Sequence, residues 1–284
     1  MIKVGFIDYY LSEWHADNLP TWLKEETNGD VVVAYAWAKI DAPQPDRKTN
    51  AQWAEEQGVE LLATMEEVIE KSDVLVVLSP DNPEMHEELC DLPLKSGKRT
   101  YVDKTFAPTF EIAKRIADKA RAYNTPMFTS SALRFSTELQ GVDREGISAV
   151  SMQGPGPWDN YSIHQIEPIV SLLGPDAEQV LFFGNDTNPG AAIRFSGGRV
   201  ATWQHFDWST DFRGVIGYGE GKEDVKIRSM SDYFPNFVRE LVDFFRTGTI
   251  KAPLEETLAV AAIREAALAG KDNPGVWIDL PRER

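Results

Sequence analysis

A lysine and a histidine stand at two points of this sequence where proton transfer to or from a small molecule is the chemistry to expect. Lys104 ends the run RTYVDK, which predicts a strand. Ligands of an open α/β sheet bind outside the carboxyl ends of its strands. A lysine placed there binds phosphate or substrate, or donates a proton when burial lowers its pKa. A surface lysine that merely follows a strand is the alternative, and this stretch alone favours neither.

His164 opens the helix predicted for Ile163–Leu173, just after a Pro/Gly-rich loop. A histidine in the first turn of a helix can point back across a domain cleft, and Asp159 and Glu167 can orient it or share its proton. The spacing of these three residues matches no recognised zinc pattern, so we expect no metal.

Two further histidines have plainer interpretations, and a third lies near a strand end. For His86 a helix surface is favoured, and for His205 a hydrogen-bonded position on a strand face. His15 lies one helical turn into the first strand–helix unit, next to the end of the first strand.

Composition limits the classes of partner. The 284 residues carry a formal charge of −16, which argues against nucleic acid and anionic membranes because both require a basic face. A single cysteine, Cys90, excludes an intrachain disulfide. The sequence begins with a predicted strand and not with a signal peptide, and no apolar run approaches the roughly 20 residues that span a bilayer. We therefore expect a cytoplasmic protein.

The first 130 residues alternate short apolar strands with helices. Strands are predicted at Ile2–Ile7, Asp30–Trp37 and Asp73–Leu78, among others. The first helix is expected to begin at an N-cap Ser12 and to kink or restart at Pro20. Buried strands that alternate with helices require parallel pairing, so residues 1–130 are predicted to form a Rossmann-like, doubly wound parallel sheet that binds a nucleotide.

Residues 131–284 change pattern. Strand-like runs follow one another without intervening helices, and Gly197-Gly198 lies between two of them as a hairpin signal. Two amphipathic helices, Phe234–Thr247 and Leu254–Ala269, come last. These residues are predicted to form an α+β domain with a largely antiparallel open sheet, for substrate binding and oligomerisation, whose last helices pack back on the first domain. The aromatic run TWQHFDW is either a ligand platform or, more commonly, sheet packing or a subunit interface.

Several segments together resemble the Gfo/Idh/MocA family of nicotinamide-dependent oxidoreductases, named for glucose–fructose oxidoreductase and inositol dehydrogenase. SPDNPEMHEEL is similar to the family's Thr-Pro…His loop at a strand end. SGKRTYVDKTFAPTFEIAKRIADKA resembles its Gly-Lys…Glu-Lys-Pro segment, and NYSIHQIEPIVSLLG resembles its Asp-x-Gly-x-His segment. GVIGYGEGKEDVKI and the tail from Phe237 to Leu280 match its late turn, closing helices and last strand. The resemblance covers nearly the whole chain.

The resemblance implies hydride transfer between NAD or NADP and a carbon that bears a hydroxyl, on a sugar, a cyclitol or a related small polyol. Its lysine falls on Lys104 and its histidine on His164, one to take the hydroxyl proton and the other to polarise the oxygen. Substrate contacts fall on Arg134, Trp158, Asn160 and His164. The cofactor-binding positions that it implies are Asp8, Tyr9, Ser12, His15, Trp37, Ser79, Pro80, His86, Asp103 and Lys104. It also implies a homo-oligomer joined through the C-terminal sheet.

The sequence departs from the family's cofactor pattern. The turn after the first strand, IDYYLSEWH, contains no glycine, with Asp8 and Tyr10 where the fingerprint G-x-G-x-x-G has its first two. The second strand lacks the closing acid that holds the adenosine ribose and runs on into Lys39. The family's Glu-Lys-Pro becomes Asp103-Lys104-Thr105, and its Asp-x-Gly-x-His becomes Asn160-x-Ser162-x-His164.

Two hypotheses remain. In the first, the chain is an NAD(P)-dependent dehydrogenase in which Ser12 and the amides at the helix start hold the pyrophosphate, while Lys39 meets a phosphate. In the second, the chain has lost the dinucleotide and binds a sugar-like molecule as a sensor or accessory protein, or does non-redox chemistry with Lys104, His164 and His15. The frequency of active enzymes in the resembled family favours the first hypothesis.

Overall fold

The computed structural model describes residues 1–219 and 221–281, which form two compact units. Unit 1 comprises Met1–Thr129 and Val238–Pro253. Unit 2 comprises Ser130–Phe237 and the described chain from Leu254 onward. No helix among the described residues is long and apolar enough to cross a membrane.

Unit 1 contains the predicted doubly wound parallel sheet. Its strands are all parallel and follow the order β3-β2-β1-β4-β5-β6: β1 (Ile2–Asp8), β2 (Val31–Ala38), β3 (Glu60–Leu61), β4 (Val74–Val77), β5 (Thr100–Val102) and β6 (Met127–Phe128). The helices between them are α1 (Trp14–Glu26), α2 (Asn50–Gln57), α3 (Met65–Lys71), α4 (His86–Leu89), α5 (Asp91–Lys95) and α6 (Phe110–Ala122). This strand order is that of dinucleotide-binding folds, in which ligands bind where the order reverses beside β1.

The sheet of unit 1 forms because its central strands are apolar on both faces. Val4, Phe6 and Ile7 of β1 are completely buried, and all four residues of β4 are buried. Strands of this kind need helices on both sides of the sheet. Helix α6 supplies one such layer through a buried stripe that includes Ala113 and Ile116. The packing of helices against the sheet therefore fixes the carboxyl ends of these strands.

The start of α1 differs from the prediction. The N-cap is Glu13 and not Ser12, and Glu13 adopts the extended backbone that a cap requires. The helix also continues through Pro20 without restarting. Leu19 and Leu23 are buried in its apolar face, and this packing outweighs the hydrogen bond that the proline removes.

Helix α2 begins with a capping box. The Thr49 hydroxyl accepts the Gln52 amide hydrogen at 3.2 Å, and Gln52 Oε1 accepts the Thr49 amide hydrogen at 2.9 Å. At the start of α3 only half of a capping box is present: the Thr64 hydroxyl accepts the Glu67 amide hydrogen at 3.2 Å, but the Glu67 carboxylate accepts from the amide of Ala63 instead of that of Thr64.

Replacing Thr49 with alanine removes the hydroxyl that satisfies one helix amide. We expect the free energy of unfolding to fall by about 1 kcal/mol, the usual value for a lost cap. Urea denaturation measures the change, and Thr49→Ser, which keeps the hydroxyl, should stay close to wild type. A loss of the same size in both variants would contradict the capping role.

Unit 2 contains the predicted α+β arrangement. Its sheet follows the order β12-β11-β7-β10-β9-β8-β13, with strands β7 (Ile147–Pro155), β8 (Ala177–Gly184), β9 (Pro189–Phe195), β10 (Val200–Phe206), β11 (Arg213–Tyr218), β12 (Val225–Ile227) and β13 (Trp277–Asp279). All pairs are antiparallel except β10 with β7. The predicted hairpin joins β9 to β10, where Gly197 and Gly198 take the positive φ angles of 71° and 80° that favour glycine.

Three longer helices lie in the second half of the chain: α7 (Trp158–Leu173), α8 (Tyr233–Thr247) and α9 (Leu254–Ala269). The last matches its predicted bounds. Helix α7 begins five residues before the predicted start, directly after Pro157, whose extended backbone takes the N-cap position. His164 therefore lies in the second turn of α7, and the prediction that it opens the helix was wrong.

Candidate functional site

Two buried carboxylates mark the carboxyl edge of the unit 1 sheet. Asp8 is the last residue of β1 and Asp103 follows β5 directly. Each is 1% exposed. Because ligands of this sheet type bind at the carboxyl ends of the strands, these acids lie where the function of unit 1 is to be sought.

Asp103 holds the ring of His15. Its Oδ2 contacts His15 Nδ1, while its Oδ1 accepts the Tyr101 hydroxyl at 3.1 Å and the Lys104 amide hydrogen at 2.8 Å. Burial by itself would raise the pKa of Asp103, but His15 beside it and the nearby Lys104 outweigh burial and hold that pKa below its ordinary value. An ionised Asp103 accepts all three of these hydrogen bonds.

The first amides of α1 are occupied by a side chain of the same chain. The Glu13 carboxylate accepts the His15 amide hydrogen at 2.7 Å and also that of Ala16. In dinucleotide-binding folds the amides at this helix start bind the pyrophosphate. Glu13 therefore takes the position of the anion.

Asp8 contributes a third carboxyl group to the same edge, beside those of Asp103 and Glu13. Its Oδ1 accepts the Tyr9 amide hydrogen at 2.6 Å, whereas its buried Oδ2 has no hydrogen-bond partner among the described residues. Burial, with Asp103 close by, raises the pKa of Asp8 well above its ordinary value. Burial also raises the pKa of Glu13, and the fields of Asp8 and Asp103 add to that rise. Three carboxyl groups, those of Asp8, Glu13 and Asp103, thus lie close together at this edge.

Several other predicted cofactor residues have partners within unit 1. The Ser12 hydroxyl accepts the Lys48 amide hydrogen at 3.2 Å, and the Ser79 hydroxyl donates to the Asn82 carbonyl at 2.9 Å. Lys39, expected to meet a phosphate, pairs with Glu88 at 2.6 Å.

The remaining predicted cofactor residues divide by exposure. His86 is completely buried, with its two ring nitrogens 3.0 Å from the carbonyls of Phe106 and Leu78, so it joins two loops. Pro80 is buried as well, while Tyr9 and Trp37 are half-buried. The cofactor-binding role of these four residues stays a prediction.

The residues at the start of α1 do not fit a dinucleotide pyrophosphate. Glu13 occupies the amides, Tyr10 replaces the glycine that allows close approach, and the Ser12 hydroxyl is bonded to the Lys48 amide. A pyrophosphate brought to these amides would have to displace Glu13 and lie beside two further acids.

Lys104 follows Asp103 and is half-buried. Its ammonium group has no hydrogen bond or ion pair with any residue that the structure describes. The peptide bond between Lys104 and Thr105 is cis. A cationic donor with no internal partner, next to an anchored carboxylate, is available to bind the hydroxyl of a ligand.

His164 lies in unit 2 and is half-buried. Its Nδ1 is 2.7 Å from the Ser131 hydroxyl, and the rings of Tyr161 and Phe212 stand edge-on to it at 4.9 and 5.8 Å between centroids. Sequence reasoning missed Ser131. The available signal was the run Thr129-Ser130-Ser131 after the last strand of the first sheet, since ligands bind outside the carboxyl ends of such strands.

Arg134, a predicted substrate contact, lies in a buried ionic network. Its Nε donates to Glu167 at 2.8 Å and its Nη1 donates to Glu256 at 2.5 Å. The side chains of Arg134 and Glu167 are both 4% exposed. Burial raises the pKa of Glu167 in spite of the opposing charge of Arg134. Ser130 donates to the same Glu167 oxygen at 3.2 Å.

The other two predicted substrate contacts differ in exposure. Trp158 is 7% exposed and stacks on Trp203 at 5.3 Å between centroids and 8° between planes, so it belongs to the core of unit 2. Asn160 is half-buried, and its backbone N–H donates a hydrogen bond to Asp159 Oδ1 at 3.0 Å.

Comparisons with known proteins identify the fold. The chain is similar to the solved structure of GenD2 from gentamicin A biosynthesis in complex with NAD (TM-score 0.75, 14% identity, 99% of this chain and 97% of that chain). It is also similar to a putative myo-inositol dehydrogenase from Sinorhizobium meliloti (0.74, 13%, 99% and 100%). A third similar structure is the WlbA dehydrogenase from Bordetella pertussis in complex with NADH and UDP-GlcNAcA (0.74, 15%, 99% and 99%).

Sequence comparisons add no assignment. No protein-family model and no curated protein sequence matches the chain. Similarity at this level of identity shows the two-unit α/β fold that oxidoreductases and dehydrogenases have, over the full length of the chain.

Proposed function

We propose that the protein binds a sugar, a cyclitol or a related small polyol without a dinucleotide, as a sugar-binding protein or an acid–base enzyme on the fold of the oxidoreductases. The observation that carries this proposal is the Glu13 carboxylate on the first amides of α1. The Gfo/Idh/MocA family is part of the proposal, because the full-length similarity to dehydrogenases agrees with the resemblance in sequence.

The electrostatics of the edge support the absence of a pyrophosphate. Two like charges about 4 Å apart repel by about 4 kcal/mol at an effective dielectric constant of 20. An ionised Asp8 or Glu13 would each impose a cost of this order on a bound pyrophosphate. A protonated Glu13 still accepts hydrogen bonds from the two amides, so the helix start remains occupied in either state.

A neutral polyol suits the same edge. Each hydroxyl donates one hydrogen bond and accepts two, so it can donate to a carboxylate such as Asp8 and accept from an ammonium such as Lys104. His164 in unit 2 carries the imidazole that the resemblance assigns to catalysis. That Lys104 and His164 act on one molecule stays a prediction.

An NAD(P)-dependent dehydrogenase is the second candidate, favoured by the full-length similarity to chains solved with NAD and with NADH. It requires Glu13 to leave the amides of α1 so that the phosphates can enter. Such an enzyme would oxidise a sugar or cyclitol hydroxyl, with Lys104 and His164 as its catalytic pair.

Titration with NADH and NADPH separates the two candidates. We expect no saturable change in nicotinamide fluorescence up to millimolar concentration, because Glu13 and Asp8 exclude the pyrophosphate. A dehydrogenase of known NADH affinity serves as the positive control. Saturable binding of either nucleotide would overturn the dinucleotide-free proposal in favour of the second candidate.

The same proposal predicts stabilisation by a polyol. In thermal denaturation with a panel of neutral sugars and cyclitols, we expect at least one compound to raise Tm, since a ligand at 100 times its Kd adds about 2.7 kcal/mol. Lys104→Met should abolish that shift, whereas Lys226→Met, at an exposed position of β12, should keep it. If no compound raises Tm, or if both variants respond alike, the proposal fails.

A homo-oligomer joined through the sheet of unit 2 is also part of the proposal. Val200 on β10 and Val215 on β11 are 45% and 40% exposed, which leaves apolar surface for a second copy to cover. A cytoplasmic location likewise stays a prediction.

A further inference from the structure

We propose that His15 is the acid–base residue of the unit 1 edge, that its Nε2 exchanges a proton with a hydroxyl of the ligand, and that Asp103 is the positioning residue that makes this possible. The inference deepens the proposed function and rests on it only for the identity of the ligand. Its geometry stands on contacts within unit 1.

Asp103 is a fixed anchor. The carboxylate is 1% exposed, and both of its oxygens are engaged: Oδ2 with His15 Nδ1, Oδ1 with the Tyr101 hydroxyl and the Lys104 amide. Tyr101 belongs to the buried strand β5, and the Lys104 amide follows that strand directly. The carboxylate therefore cannot turn away from the imidazole without breaking buried hydrogen bonds.

The anchor determines which nitrogen of His15 is basic. An ionised carboxylate only accepts hydrogen bonds, so Nδ1 of His15 carries a hydrogen, and in the neutral ring Nε2 is the nitrogen with the lone pair. Nε2 has no hydrogen-bond partner among residues 1–219 and 221–281. The His15 side chain is 14% exposed, so it is not completely buried as Asp103 is.

The other histidines are held differently. His86 is completely buried with both ring nitrogens beside carbonyl oxygens. His205 is 1% exposed, and its Nδ1 lies 2.8 Å from the Gly156 carbonyl. His164 contacts a serine hydroxyl. The pairing of a partly exposed imidazole with a buried carboxylate is found at His15.

The carboxyl groups around His15 disfavour an anionic ligand, and the hydroxyl group of the ligand follows from the proposed function. Glu13 on α1, Asp8 at the end of β1 and Asp103 after β5 face the site with carboxyl groups, and Lys104 contributes one positive charge. The unpartnered Oδ2 of Asp8 is an independent sign of a missing contact, because buried polar atoms are normally hydrogen-bonded.

The proton balance needs no further reactant. A hydroxyl of the ligand loses its proton to Nε2 while its oxygen accepts a hydrogen bond from the Lys104 ammonium, which offsets the negative charge on that oxygen, and the imidazolium charge is stabilised by Asp103. The proton returns to the ligand by the reverse transfer. Trp14, whose ring centroid is 5.2 Å from that of His15, packs against the imidazole and limits its rotation.

Carbethoxylation with diethyl pyrocarbonate tests the proposal without a substrate. The Nε2 lone pair attacks one carbonyl carbon of the reagent, a nitrogen–carbon bond forms, and the carbon–oxygen bond to the ethyl carbonate group breaks. The ethyl carbonate takes the proton that the ring loses from Nδ1 and decomposes to ethanol and carbon dioxide. We expect peptide mapping by mass spectrometry to find His15 modified in the folded full-length protein, while His86 stays unmodified. An unmodified His15 would overturn the proposal.

A variant tests the role of Asp103. Asp103→Asn offers an amide to Nδ1, which favours the tautomer with its hydrogen on Nε2, and we expect the modification rate of His15 to fall at least about tenfold. Asp91→Asn, at a carboxylate that pairs with Lys95 and Lys119 on the surface, should leave the rate unchanged. Equal rates in wild type and Asp103→Asn would contradict the positioning role.

Nitrogen-15 NMR of the wild-type protein gives a second measurement in case Asp103→Asn does not fold. We expect neutral His15 to carry its hydrogen on Nδ1, and a hydrogen on Nε2 would overturn the proposal. Neither measurement depends on a nucleotide or a sugar. Failure of the proposed function in the titrations is therefore distinguishable from failure of the His15 assignment.

Discussion

Arg134→Ala should lower the free energy of unfolding by about 3–5 kcal/mol, the cost of removing one partner from a buried ion pair. The guanidinium contacts Glu167 and Glu256, and the side chains of Arg134 and Glu167 are 4% exposed. Without Arg134 both carboxylates lose their counter-charge, and Glu167 remains buried. Urea denaturation at neutral pH measures the change.

The matched control is an arginine that forms its ion pair with glutamate on the surface. Arg115 pairs with Glu87 at 2.6 Å, and its side chain is 48% exposed. Arg115→Ala should cost no more than about 1 kcal/mol, because water screens an exposed pair. A loss below 1 kcal/mol in Arg134→Ala would show that the network does not stabilise unit 2.

Asp8→Asn should raise the free energy of unfolding at pH 7 by at least about 1 kcal/mol, because each unit by which a pKa is raised in the folded state corresponds to about 1.4 kcal/mol. Burial raises the pKa of Asp8 in the folded protein, so folding either keeps a proton that the unfolded chain has lost or buries a charge. Asparagine has nearly the same shape as protonated aspartate and has no proton to lose. It therefore removes this penalty.

The pH dependence of that gain has a definite sign. Below about pH 4 the Asp8 carboxyl is protonated in both states, and variant and wild type should be equally stable. Above it the unfolded chain releases the proton first, so wild-type stability falls as pH rises toward the raised folded pKa. The advantage of Asp8→Asn should grow through that window and then level off.

Denaturation at a series of pH values checks both the sign and the size. Asp46→Asn, at an exposed loop position, is the control and should change stability by less than about 0.5 kcal/mol at every pH. A destabilised Asp8→Asn would mean that the folded protein stabilises the Asp8 carboxylate, and a gain that does not vary with pH would mean that folding does not raise the pKa of Asp8.

The sheet of unit 1 was predictable because its signal is local. Runs such as Val74–Val77 are apolar throughout, and a strand of that kind must be covered on both faces. Together with the helices between the strands, this was sufficient for the parallel doubly wound arrangement. The position of Lys104 after a strand followed from the same pattern.

The start of α1 was not predictable from propensity. Serine is the commoner N-cap, and Ser12 stands one residue before the true cap. The choice of Glu13 depends on the surroundings, since its carboxyl group is 3% exposed at an edge that Asp8 and Asp103 share. Local sequence contains no information about which strand ends meet there.

The network around Arg134 escaped prediction for a related reason. Glu256 lies 122 positions after Arg134 in the chain, on a helix whose acidic residues look like a solvated face. Only the packing of α9 within unit 2 brings that carboxylate to the guanidinium. The sequence therefore contains no sign of these ion pairs, and the substrate contact that the resemblance implies for Arg134 stays a prediction.

Glu13 has one more consequence, which concerns competition in solution. A group tethered next to its binding site acts at an effective concentration of order millimolar or more, and Glu13 is only two positions from the first amide that it occupies. Free phosphate, sulfate and nucleotides must outcompete this built-in occupant. The Glu13 carboxylate thus competes with any anion for these amides, and because it is part of the chain, dilution does not remove it.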